Sequence, residues 1–235
     1  MALDASTLLF IGVLVRLAAA GVALFAWYIH REVVCLLGWS AAMLLSAVAM
    51  VAGSFRGAEG AFHVTLTADI LYLAGYALMW TSMRRFNDER LTPARQALAV
   101  LAVCGAFALL FTLAWQAGLP RRAQSALFAL FIAGLTLTAA WETWRGYRQD
   151  GLRSRHLAAG ALACIAVTRL SRVGLIVLQS AGIVSPPTGE LVQSYTLYIN
   201  IVFLLVATAG LALMAQERID RGDRTAAREP PPTAP

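Results

Sequence analysis

The sequence predicts an all-α polytopic membrane protein, a bundle of seven transmembrane helices. Three observations carry that expectation. Of 235 residues, 59% are hydrophobic and only 14% are charged, where soluble domains carry about 25%. Seven apolar stretches, 7–28, 33–53, 61–83, 97–118, 123–141, 157–182 and 191–216, fill most of the chain; a spanning helix needs about 20 mostly apolar residues. The connections are too short to hold a second core. Residues 1–216 therefore read as one seven-span domain, and 217–235 as a cytoplasmic helical extension with a disordered, proline-rich tail.

The first stretch lacks a basic leader and runs past Arg16 for a full span, so it reads as a helix rather than a cleavable signal. The third carries Asp69. The fourth stops at Gly118-Leu-Pro120, a turn signal. The fifth is the shortest; Trp141 and Trp144 fit an interfacial aromatic belt, with Glu142 a solvated boundary charge. The sixth carries Arg169 and Arg172. The run Ser185-Pro-Pro-Thr-Gly reads as a break before the seventh, because proline cannot continue a helix. Beyond it, charges alternate from Ala215 to Arg228 and extend the last helix by a few turns, before the proline-rich end.

All nineteen basic residues are arginine and none is lysine. That excludes a retinal or pyridoxal Schiff base and a Walker-type phosphate loop, each of which needs a lysine. Thirteen arginines fall on one side of the predicted spans and three on the other (Arg56, Arg121 and Arg122). Basic loops stay on the cytoplasmic side, so the N-terminus is expected outside and the C-terminus in the cytoplasm. Cys35, Cys104 and Cys164 lie in apolar stretches without CxxC spacing and read as small core residues. His30, His63 and His156 read as interfacial, with no metal or haem site expected. No paired carboxylates, HExxH or GxSxG motif is present, so neither catalysis nor a cofactor is expected. Asp88 and Glu89 read as a surface ion-pair cluster with Arg84, Arg85 and Arg90.

The chemistry lies in four ionisable residues inside the spans: Arg16, Asp69, Arg169 and Arg172. A charge at the bilayer centre costs about 2.5–3.5 kcal/mol even on a lenient scale, so such residues face the bundle interior and find partners. At about 1.5 Å of rise per residue, all four fit a layer from the membrane middle to its outer half. Three arginines against one aspartate leave two positive charges uncompensated. One reading is a structural clamp, with Asp69 pairing one arginine and carbonyls or water satisfying the rest. Another is an anion pocket, since the planar guanidinium fork suits carboxylate and phosphate. A proton or ion pathway is a third. Gln193, Thr196 and Asn200 form a polar stripe on the seventh helix with Ser194, Tyr195 and Tyr198 nearby; polar packing between helices and lining of the same pocket both fit. Thr65 and Thr67 are weaker candidates.

Two segments resemble the N-terminal membrane sensor region of bacterial GGDEF-type diguanylate cyclases. In Ala77-Leu-Met-Trp-Thr-Ser-Met-Arg-Arg-Phe86, with Asn-Asp-Glu-Arg90 following, Trp80, Arg84 or Arg85, Phe86 and Arg90 match that family's helix end. The segment departs from the family at Ser82 and Asp88, where glycines are usual. Leu213-Met-Ala-Gln-Glu-Arg-Ile219 is similar to the segment that leads out of the last span of such cyclases. The resemblance covers roughly residues 7–220, and no GGDEF motif is present. It implies a sensory module in a bacterial inner membrane. Trp80, Arg84, Arg85 and Phe86 then read as interface anchors. The expectation is a non-catalytic sensor or regulatory module that takes a small anionic ligand at Arg16, Asp69, Arg169, Arg172, Gln193 and Asn200. It signals through Glu217 to Arg228, toward a second copy or a cytoplasmic partner. A small transporter or channel, or a remnant of a membrane-bound cyclase, are the alternatives.

Overall fold

The computed structural model describes residues 5–55, 62–88 and 91–226; side chains are described for 7–55, 62–88, 91–148, 150–185 and 195–221. Seven helices follow one another: α1 (Ala5–Ile29), α2 (Val34–Ser54), α3 (Phe62–Asn87), α4 (Pro93–Gln116), α5 (Arg121–Asp150), α6 (Ser154–Ser180) and α7 (Pro186–Ala226). All seven contain a stretch long and apolar enough to cross a membrane. The chain is an all-α, multi-pass bundle of the kind that lies in a lipid bilayer.

Local chemistry sets several boundaries. Thr92 caps α4, its hydroxyl accepting from the Arg95 N–H, and Pro93 fills the first turn, where its missing N–H has no cost. Helix α5 ends at Gly151, whose φ of 63° puts it in the left-handed region that glycine enters without strain. Two sequence expectations need correction here. The fifth span is not the short one: α5 runs through Glu142 to Asp150, so Arg145 and Arg148 belong to the helix and not to a loop. Pro186 and Pro187 do not hold α7 apart from the preceding turn as a break; they open the helix, in the positions where proline is preformed for it. Arg56, Glu89, Arg90 and the proline-rich tail from 227 onward lie outside the described residues.

Helices α1, α2, α3, α5, α6 and α7 pack in that order into a closed ring, and α4 lies outside it against α3 and, less closely, α5. Leucines on α4 (Leu98, Leu101, Leu109 and Leu113) are exposed. In a bilayer this is the expected state, because lipid is as apolar as leucine and exposure costs nothing there. Helix contacts inside the ring depend on small residues. Gly75 on α3 meets α2 so closely that a Cβ there would sit 2.9 Å from the Ala42 carbonyl oxygen and overlap Ser46; one on Gly210 would lie 3.0 Å from the Ala158 nitrogen of α6. Gly75→Leu is therefore expected to force α2 and α3 apart at a cost of about 1–3 kcal/mol, measured as a lower unfolding temperature in detergent. Gly105→Leu, where a Cβ meets nothing within 4 Å, is the control expected to leave it unchanged.

Candidate functional site: two arginines on one tyrosine

The ring interior holds a centre built from three helices. Arg16 lies eleven residues from the start of α1, Tyr72 ten from the start of α3, and Arg169 eleven from the end of α6. At about 1.5 Å per residue all three share one depth, about 16 Å in from the same end of the bundle. The side chains meet. Arg16 Nη2 donates to Tyr72 Oη at 2.7 Å, and Arg169 Nη2 donates to the same oxygen at 3.1 Å. Arg16 Nη1 also donates to the Gly12 carbonyl at 3.1 Å. Tyr76 stacks on Tyr72 one turn away, ring centres 5.2 Å apart. Arg16 is 2% exposed, Arg169 7% and Tyr72 9%.

The Tyr72 oxygen accepts from both arginines, and the Tyr76 hydroxyl lies within hydrogen-bonding reach of Tyr72 and Arg169. Arginine does not give up its proton in proteins, so two cations meet at one phenolic oxygen. Two like charges held against one oxygen repel, and burial weakens the screening that water would give them. Asp69 is the nearby counter-charge by sequence: it sits three residues before Tyr72 on the same helix face, 4% exposed, and makes contacts of its own. Among the described residues, one carboxylate stands against these two guanidiniums. Arg169 Nε is buried and has no hydrogen-bond partner among the described residues. A buried donor in that state costs free energy, more so on a charged group. It is the structural feature here that would be relieved by an acceptor.

The other expected site residues divide. Arg172 lies one turn nearer the end of α6; its Nη2 donates to Ser125 Oγ on α5 at 3.1 Å, and it makes a further contact of its own. Asn200, 4% exposed, ties α7 to α6: its Oδ1 accepts from Thr168 Oγ1 at 3.1 Å and its Nδ2 donates to the Thr196 carbonyl. It thus stands beside Arg169 through the neighbouring residue Thr168. The side chains of Gln193 and Ser194 lie outside the described residues. Tyr195 and Tyr198 are exposed at 68% and 54% and face away from the interior, and Thr67 is exposed too. The residue that joins the site, Tyr72, carried no charge and read as part of an apolar run. Its spacing of three from Asp69, with Tyr76 four further on, was the available signal.

At the opposite end of the bundle the four expected anchor residues differ in their packing. Phe86 is buried inside the bundle at 4% exposure. The Arg155 and Arg218 guanidiniums lie 5.0 Å and 4.9 Å from its ring centre. Trp80 packs partly against the core, Arg84 is exposed, and Arg85 lines a small cavity with Arg218 and Glu32. Arg155 is itself 2% exposed, ion-paired to Asp150 and hydrogen-bonded to Asn87 Oδ1 at 2.7 Å and to the Thr143 carbonyl at 3.3 Å. The start of the expected signalling extension is docked here. Glu217 accepts from the Ser154 hydroxyl at 3.0 Å, Arg218 donates to the Phe86 carbonyl at 3.1 Å, and Arg221 donates to the carbonyls of Asp150 and Gly151. Comparison with protein-family models, curated proteins and solved structures finds no match to this chain.

Proposed function

We propose that this protein is a non-catalytic membrane sensor or regulatory module, with Arg16 and Arg169 as the receptor for a small anion and α7 as the output element. One observation carries the reading: two buried arginines from different helices converge on a single phenolic oxygen, and one of them keeps a donor without a partner among the described residues. A carboxylate or phosphate group offers an acceptor for the Arg169 Nε donor and a negative charge beside the two guanidiniums. The excess of arginines on one side of the spans supports an orientation with the end of α7 in the cytoplasm and the site reached from the outer face, and the likeness to bacterial cyclase sensor regions supports a bacterial inner membrane. The likeness of residues 77–90 and 213–219 to cyclase sensor regions supports the same role.

The route from site to output is short. Arg169 adjoins Thr168, whose hydroxyl donates to Asn200 on α7. From Asn200 the helix runs unbroken to Arg221, about 32 Å at 1.5 Å per residue. A ligand that binds one α6–α7 packing better than another shifts the population of the two, and the docked contacts of Glu217, Arg218 and Arg221 report that shift. The test is hydrogen–deuterium exchange over residues 195–226 of the detergent-solubilised protein, with sodium succinate, phosphate, sulfate or acetate against chloride. At least one anion is expected to alter exchange in α7, and Arg169→Met to abolish the change. Exchange that ignores every anion removes the sensing role.

A further inference from the structure

A second site lies outside the ring, between α5 and α6. A groove of about 630 Å³ opens there on the apolar exterior, with Leu137, Trp141, Trp144, His156, Gly160 and Ala163 among its walls and floor. That volume is within the range of about 300–1,000 Å³ typical of small-molecule sites. The floor is open because α6 is small there: a Cβ on Gly160 would meet nothing within 4 Å. Trp141, 63% exposed, and Trp144, 46% exposed, stand as one wall. His156 closes the top of the groove, packed on Trp144 and Tyr147 with ring centres 4.9 Å and 4.0 Å apart.

The rim is cationic. Trp141, Trp144 and Arg148 follow i, i+3, i+7 spacing on α5, and Arg153, His156 and Gly160 follow it at the start of α6, so Arg148 and Arg153 each crown one wall. Both arginines are exposed, and neither side chain has a hydrogen-bond or ion-pair partner among the described residues. An apolar slot, an aromatic level above it and two free guanidiniums above that repeat the order of a phospholipid: acyl chain, glycerol ester, phosphate. We propose that the α5–α6 groove binds an anionic glycerophospholipid, its acyl chain on Gly160 and Ala163 and its phosphate between Arg148 and Arg153. A second copy of the chain fits less well. The protruding tryptophans hold another helix off the small residues, and a symmetric pair would crowd four arginines at one rim.

The test uses the full chain in nanodiscs and follows tryptophan quenching by phospholipids brominated on the acyl chain. The groove signal is the part lost in Trp141→Phe/Trp144→Phe. A brominated phosphatidylglycerol is expected to quench it at a far lower mole fraction than brominated phosphatidylcholine, by about fivefold per arginine. Arg148→Gln/Arg153→Gln is expected to erase that preference, and Gly160→Leu, which fills the floor, to weaken quenching by both lipids. Equal quenching of the wild-type protein by the two lipids overturns the proposal without recourse to any variant. So does a preference that survives loss of both arginines, or a Gly160→Cys protein that cross-links to a second copy through the groove.

Discussion

Tyr72→Phe is expected to destabilise the bundle by about 3 kcal/mol, although it removes a single oxygen atom. Phenylalanine keeps the ring, its stacking on Tyr76 and its volume. What goes is the shared acceptor of Arg16 and Arg169. Each lost acceptor leaves a buried charged donor unsatisfied, at about 1–3 kcal/mol apiece. For a chain of this length that lowers the unfolding temperature by about 6–12 °C. Arg169→Met removes a cation together with its desolvation cost, and replacing buried charge by well-packed apolar volume is often near neutral. The double variant Tyr72→Phe/Arg169→Met is therefore expected to be more stable than Tyr72→Phe alone, a departure from additivity that residues in contact produce. Additive losses, measured by thermal unfolding in detergent, would mean that Tyr72 does not serve Arg169.

Asp150→Ala is expected to cost a similar amount at the other end of the bundle. Arg155 is almost wholly enclosed, and Asp150 supplies its counter-charge through Nε and Nη2. Removing one partner of a buried pair strands the other, at about 3–5 kcal/mol; Asp150 is one-third exposed, so water offsets part of this and the lower figure applies. The effect should spread. Arg155 stacks on Phe86, Phe86 meets Arg218, and Arg221 donates to the Asp150 and Gly151 carbonyls. Faster hydrogen exchange in α7 beyond Glu217 is the expected accompaniment. Loss of stability with unchanged exchange there would show that the α7 dock stands independently of this pair. Asp150→Asn keeps an acceptor for Arg155 and for the Leu152 N–H, and should fall between.

Much of the architecture was legible in the residues because membrane spans are a matter of length and apolarity, and both are local. All seven helices follow the apolar stretches. The misjudged boundaries were those where charge stood in for structure. Glu142, Arg145 and Arg148 suggested a loop, yet a helix carries charges past an interface without difficulty, and Gly151 is the residue that ends α5. The candidate site was half legible. Arg16 and Arg169 were found because a charge within a span must have a reason. Tyr72 was not, since a tyrosine in an apolar run costs little and attracts no notice. Arg172 shares a face with Arg169 in the spacing pattern, and α5 adds Ser125 as one of its partners, which no motif announced. Phe86 resembled an anchor by position, and only the return of α6 and α7 to the same end turns it into the centre of two arginine contacts. Ring order, which decides all of this, is set by long-range packing that no short motif encodes.

The central claim is that a pair of buried arginines forms an anion receptor. Its most direct test is calorimetric titration of the detergent-solubilised protein with succinate, phosphate, sulfate and acetate, beside Arg169→Met and Arg172→Met proteins shown to be folded. The expected result is saturable binding of at least one anion, lost with Arg169→Met and retained with Arg172→Met. Binding to none of them, or binding that Arg169→Met leaves intact, would contradict it and reduce the Tyr72 centre to a structural clamp.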